Sequence, residues 1–136
     1  MRPAGPLLGL ALLVLLSVAS GSAAEGPWRA DLAAAREEAR RRERPLFIYF
    51  DAAWCSWCHR YEERTLSRAA VRRALERHTV PVRLDYDTRR GLARRLGGRG
   101  LPFNVLQAPD GTVIRAFTGI LPPADLIALV AEPGPA

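Results

Sequence analysis

An α/β domain built on a mixed four-stranded sheet, with helices flanking the sheet, is the fold this sequence predicts. Three observations carry the prediction. The continuous apolar run Leu46-Phe47-Ile48-Tyr49-Phe50 reads as a strand buried on both faces. Strand-like runs alternate with helical patterns in the order α-β-α-β-α-β-β-α, so the first β-α-β unit is parallel and right-handed. The last two strands flank the turn Ala108-Pro109-Asp110-Gly111, with Pro second and Gly fourth, and form an antiparallel hairpin.

Each element has its own local reason. Trp28, Leu32 and Ala35 recur at helical spacing and predict a helix over 28–42, stopped by Pro45. The strand over 46–50 follows, then a short connection over 51–54. A helix is expected from near Cys55 to about Leu66. Ser67 reads as the N-cap of another over 68–78, with Val71, Leu75 and Ala70 on its apolar stripe. Val80, Val82 and Leu84 alternate in a second strand over 80–84. Asp87 or Thr88 caps a short helix through Leu96, which Gly97-Gly98-Arg99-Gly100 breaks. The hairpin strands span 103–106 and 112–117, and Pro122-Pro123 opens a last helix over 124–130.

Composition bounds the function. The 136 residues suit one domain, and two cysteines cannot build a disulfide framework. At 49% hydrophobic the chain is too apolar for intrinsic disorder. The formal charge is +6 and all 20 basic residues are Arg. Alongside abundant Ala, Gly, Pro and Leu, this reads as compositional bias, and nucleic acid is not an expected partner. Residues 1–24 read as a secretory signal peptide: Arg2 is the positive start, Leu7–Val18 the apolar run, and Ser22-Ala23-Ala24 a small-residue cleavage site. The run is short against the ~20 residues a membrane span needs. Residues 25–136 are then one exported domain, and the periplasm is the expected location. The rival reading is an uncleaved inner-membrane anchor.

Both cysteines fall in Cys55-Ser56-Trp57-Cys58, between a strand and a helix. A cysteine at a helix N-terminus is favoured as thiolate by unpaired N–H groups and the helix dipole. Cys58, one turn on, is placed to attack a mixed disulfide on Cys55 and release substrate. Trp54 and Trp57 offer an apolar collar for an extended peptide. Three other readings stand beside this one. A purely structural bridge would close only a short loop and stabilise little. A metal site would draw on Cys55, Cys58 and His59 but lacks a distant fourth ligand. Cys55-Ser56-Trp57-Cys58-His59 also fits C-x-x-C-H, the attachment motif of c-type haem. Against haem, the sole Met is Met1, and the motif follows a strand.

The stretches Pro45–Cys58 and Arg99-Gly100-Leu101-Pro102-Phe103 resemble thioredoxin-fold proteins over the whole expected domain. Residues 58–66, with Ser67 and Val71, are similar to the C-terminal periplasmic domain of the thiol reductase DsbD and related exported proteins. The resemblance implies a thioredoxin-like fold and a redox-active Cys55–Cys58 disulfide. It implies a cis-proline at Pro102 facing the cysteines, with the Leu101 backbone pairing with substrate peptide. It also implies that Glu62, one turn after Cys58, tunes the cysteines, unless it is simply a solvated helix-face acid. Two departures matter. Tyr49 stands where thioredoxin has a buried Asp, leaving Asp51, on the same strand face, either to stand in for that acid or merely to end the strand. Ser56-Trp57 replaces thioredoxin's Gly-Pro pair. His59, if protonated, is a further candidate for stabilising a thiolate.

The expectation is therefore an exported thiol–disulfide oxidoreductase, a protein-disulfide reductase acting on disulfide-containing exported proteins. It is expected to need no cofactor or metal, to be monomeric, and to be recharged by a membrane electron donor of the DsbD/CcdA type. A non-catalytic binding or assembly module on the same fold is the alternative.

Overall fold

The structure, a computed structural model, describes residues 1–3 and 26–135. Most of the expected signal peptide, residues 4–24, lies outside the described residues. The elements are α1 (Leu32–Arg42), β1 (Leu46–Asp51), α2 (Ser56–Tyr61), a π-helical turn (Glu62–Leu66), α3 (Ala69–His78), β2 (Val80–Asp85), α4 (Tyr86–Arg95), β3 (Phe103–Gln107), β4 (Val113–Thr118) and α5 (Pro123–Ala131). The strands form one mixed sheet in the order β2-β1-β3-β4, with β1 parallel to β2 and antiparallel to β3. The β3–β4 hairpin is antiparallel, as its turn predicts.

Strand β1 lies inside the sheet, and Leu46 through Phe50 are all buried, as the unbroken apolar run requires. Its pleat divides the core in two. Phe47 and Tyr49 face Val71 and Leu75 of α3, Leu126 and Val130 of α5, and both cysteines. Leu46, Ile48 and Phe50 face Leu32, Ala35 and Ala39 of α1, Ala93 of α4, and the alternating Val80, Val82 and Leu84 of β2. No helix among the described residues is long and apolar enough to cross a membrane.

Several boundaries differ from the sequence reading, each for a local reason. Helix α1 starts at Leu32 rather than Trp28, because Asp31 caps it by accepting the Ala34 N–H at 3.0 Å. The residues before it are extended along the β2 edge, where the Arg29 N–H donates to Pro81 at 2.9 Å and the Arg83 N–H to Arg29 at 3.0 Å. Trp28 instead packs on Tyr49, with ring centroids 5.6 Å apart. The continuous helix expected from Cys55 to Leu66 widens after Tyr61: the Ser67 N–H reaches back five residues to the Glu62 carbonyl at 2.8 Å. This turn buries Thr65, whose hydroxyl donates to the Leu121 carbonyl at 2.7 Å. Ser67 therefore does not cap α3; its hydroxyl donates to the Glu63 carbonyl at 3.1 Å, and Arg68 holds the cap position without a side-chain bond. Ala74, not Ala70, completes the buried stripe of α3 with Val71 and Leu75. Asp85, not Asp87 or Thr88, caps α4, because β2 runs on to Asp85 and its carboxylate accepts the Asp87 N–H at 2.9 Å.

The Gly97-Gly98 pair ends α4 as expected. Gly97 takes φ +94, and the N–H groups of Gly97 and Gly98 close on Arg94 and Ala93 at 3.0 and 2.8 Å. Gly98 is also a close-approach position: an added Cβ would lie 2.6 Å from the Phe103 ring and 3.0 Å from the Ala93 carbonyl. Phe103 is buried and stacks on Phe50, so its ring has little room to move. Gly98→Ala is expected to destabilise the domain by roughly 1–3 kcal/mol, the usual range for overpacking. Urea denaturation checks this; an unchanged midpoint would show that the Phe103 ring gives way freely.

Candidate active site

The chain leaves the C-terminal end of β1 and turns through Ala52–Trp54, with the Cys55 N–H donating to Ala52 at 3.0 Å. Cys55 is the N-cap of α2, in extended conformation, and its sulfur accepts the Cys58 N–H at 3.1 Å. Cys55 and Cys58 form a disulfide with Cα atoms 5.2 Å apart. Cys55 is 5% exposed and Cys58 1%, so Cys55 is the less deeply buried of the two. A thiolate at Cys55 keeps the same N–H donor and gains the favourable end of the helix dipole.

Beside the pair lies a shallow cavity of about 300 Å³, lined by Trp57, Leu101, Pro102, Gly119 and Ile120. The Leu101–Pro102 peptide bond is cis. The Gly119 N–H donates to the Pro102 carbonyl at 2.8 Å, and the buried Asn104 amide donates to the Gly119 carbonyl at 3.2 Å. Trp57 is 55% exposed, with the Arg60 guanidinium 5.0 Å from its ring centroid. The structure thus gathers Trp57, Leu101 and Pro102 around one groove. Trp54 is 64% exposed and does not line it. Its indole N–H donates to the Asp87 carboxylate at 2.7 Å, and Asp87 also receives Arg90 at 2.6 Å. Those two donors hold the Asp87 carboxyl below its ordinary range, Arg90 being the larger influence.

The three candidate tuning residues do not act as a set. The His59 ring Nε2 pairs with the Ala53 carbonyl at 2.9 Å, tying the start of α2 back to the loop before Cys55. Asp51 and Glu62 meet on the other side, on Arg83. The Arg83 Nε donates to Asp51 at 3.0 Å, and its Nη2 donates to Asp51 and, at 2.5 Å, to Glu62. Burial works against the Arg83 charge, but the Asp51 bond and the two carboxylates outweigh it and raise its pKa further. The Arg83 guanidinium also lies 5.7 Å from the Tyr49 ring centroid. Burial first, and then the charges of Asp51 and Glu62, push the Tyr49 hydroxyl well above its ordinary range, so it stays protonated. Its oxygen is 3.5 Å from Glu62. Asp51 and Tyr49 do share a strand face, as alternation predicts.

Arg83 escaped the sequence reading. Alternation put Val80, Val82 and Leu84 on one face of β2 and so put Arg83 on the other. Only the register of the parallel pair, Tyr49 beside Arg83, brings it to the site. Asp87 carries the sequence signature of a cap, and Ile120 carries no functional signal of its own. Cys55, Cys58 and His59, the residues of the haem-type motif, are engaged within the chain, by the disulfide and the Ala53 contact. No group of three or more His, Cys, Asp or Glu side chains arranged to hold a metal occurs among the described residues.

Residues 27–109 match a family model described as thioredoxin-like. Human spermatogenesis-associated protein 20 is 28% identical over 109 residues, covering 73% of this chain. The chain spans only 13% of the length of that curated relative. Among solved structures, the DsbH oxidoreductase superposes with a TM-score of 0.68 at 18% identity, covering 77% of this chain and 81% of that one. A thioredoxin from Thermus thermophilus gives 0.68 at 24% identity, with 78% and 86% covered. The reduced DsbD C-terminal domain from Neisseria meningitidis gives 0.63 at 20% identity, with 74% and 90% covered. At these identities the superpositions show the fold.

The Trp54–Asp87 bond has a checkable pH dependence. A carboxyl whose folded-state pKa is lowered contributes stability that is complete above its unfolded value and is lost as pH falls through the folded one. The Trp54 indole N–H resonance is therefore expected to hold its position through the ordinary Asp range and to move only below it. In Asp87→Ala this N–H should exchange with solvent faster at neutral pH, whereas in Asp87→Asn, which keeps an acceptor, it should stay protected. Equal exchange in all three proteins would show that the bond does not persist in solution.

Proposed function

This chain belongs to the thioredoxin-like family, and from that premise we propose that it is an exported protein-disulfide reductase working through Cys55 and Cys58. Fold and cysteine pair together support thiol–disulfide oxidoreductase chemistry in general. The observation that carries the reading is the bond from the Cys58 N–H to the Cys55 sulfur at the head of α2, in the more exposed of the two cysteines. It is an arrangement that stabilises a nucleophilic thiolate.

The reduced protein carries two thiols. The Cys55 thiolate attacks one sulfur of a substrate disulfide and expels the other as a thiolate, leaving a mixed disulfide on Cys55. The Cys58 thiolate then attacks the Cys55 sulfur, breaks that bond and releases the second substrate thiolate. Two electrons pass to the substrate, and the Cys55–Cys58 disulfide is the product form. Substrate peptide lies in the groove of Trp57, Leu101 and Pro102. The reductive direction is part of the proposal, and it carries a requirement: a dithiol in an oxidising compartment does work only if a donor renews it. Export rests on the pattern of residues 1–24, and renewal calls for a membrane donor of the DsbD/CcdA type.

Reduced protein is expected to reduce the interchain disulfides of insulin with turnover when dithiothreitol is supplied, followed as turbidity. Cys55→Ser should abolish turnover, and Cys58→Ser should trap a mixed disulfide on Cys55. Full turnover in Cys55→Ser would sink the mechanism. A wild-type protein that leaves insulin intact would favour the binding-module reading.

A further inference from the structure

We propose that Asn104 is a positioning residue of the peptide groove, holding Gly119 against the cis-proline loop so that the site takes disulfides set in extended peptide in preference to small disulfides. The inference rests on the reading of Cys55 and Cys58 as redox-active and adds a residue and a substrate class to it.

The side chain is out of character with its surroundings. Asn104 is fully buried on β3, opposite Tyr49 of β1 and Phe117 of β4. Alternation sets it on the face of Leu106, which packs in one cluster with Phe47, Tyr49 and both cysteines. An apolar residue would suit that face at lower cost, because the Asn104 Oδ1 is buried with no hydrogen-bond partner among the described residues. What the amide does make is the bond to the Gly119 carbonyl, at 3.2 Å. That partner is an acceptor, so the bonding atom is the amide nitrogen, and a leucine of the same branching would lose the bond.

That bond acts on the groove. The β3–β4 pairing reaches Phe103 and Thr118, and the Gly119 N–H carries it one step further by donating to the Pro102 carbonyl at 2.8 Å. Gly119 then leaves the strand with φ +113, a backbone conformation that favours glycine. It is fixed on both sides, at its N–H by Pro102 and at its carbonyl by Asn104. Pro102, Gly119 and the next residue, Ile120, line the cavity beside Trp57. A peptide lying along Leu101 and Pro102 meets this wall, whereas a small disulfide needs only the Cys55 sulfur. Losing the Asn104 bond therefore loosens the wall for an extended substrate and leaves the chemistry of the sulfurs as it was.

The experiment mixes pre-reduced protein with an excess of insulin or of the small disulfide dithiodipyridine and follows a single turnover as the fraction of Cys55–Cys58 disulfide formed. In each case the dithiol gives up two electrons and closes to the disulfide, and one substrate disulfide becomes two thiols. Asn104→Leu should raise the insulin concentration that gives half the maximal rate about tenfold and leave the maximal rate itself within about twofold, the signature of lost binding. Its reaction with dithiodipyridine should match wild type, and its Gly119 N–H should exchange with solvent faster. An unchanged half-saturating insulin concentration, or a Gly119 N–H that exchanges no faster, overturns the inference. So does an equal loss on both substrates, the mark of a merely structural role. If Asn104→Leu does not fold, Asn104→Ala carries the same comparison with the same outcomes. Wild-type protein that reduces dithiodipyridine but not insulin overturns this inference and leaves the dithiol chemistry standing. Wild-type protein that reduces neither overturns the redox reading itself, and this inference with it.

Discussion

The burial of β1 on both faces is the constraint on which the rest of the structure depends. The strand is central in the sheet, and its alternating side chains anchor both halves of the core. Its C-terminal end therefore cannot shift without disturbing α1, α3, α4 and α5 together. That rigid end is where Asp51 sits and where the chain turns into Cys55. The cysteine pair stands on a fixed platform, and the cis-proline loop and Gly119 are brought to it by β3 and β4, which pair onto β1 in register.

The electrostatics of the site are unusual for the fold in one respect. Where thioredoxin has a buried acid, this chain has Tyr49, held in its protonated form by burial and by the two carboxylates nearby. The acids that remain, Asp51 and Glu62, are engaged by Arg83 rather than standing alone. Tyr49 is at once a core aromatic, edge-on to Tyr61 and packed in one cluster with both cysteines, and a neighbour of Glu62 through its hydroxyl.

The parts of this arrangement that local chemistry dictates were legible in the chain. Leu46–Phe50 reads as a buried strand from its apolar, β-favouring run, the Pro109-Gly111 turn closes a hairpin, and Gly97-Gly98 ends a helix. Cys55 at a strand-to-helix junction marks the site, and alternation places Asp51 beside Tyr49. What could not be read is what depends on register and on competition between neighbours. Ser67 is a good cap by composition, but the π-helical turn claims its hydroxyl for Glu63. Asp85 outcompetes Asp87 as the α4 cap because β2 extends to it, leaving Asp87 to hold Trp54. Trp28 fits the helical spacing of α1, yet the edge of β2 captures the backbone of Arg29 and pulls that segment out of the helix. Arg83 carries no local signal at all; the parallel register sets it beside Tyr49, within reach of Asp51 and Glu62.

The central claim is that the Cys55–Cys58 pair is an electron donor to other disulfides. Its standard reduction potential tests this most directly, measured by equilibration against dithiothreitol and glutathione couples. The account predicts a value close to that of thioredoxin, about −270 mV. A value near that of the strong oxidant DsbA, about −120 mV, would contradict it and make the protein a disulfide donor instead.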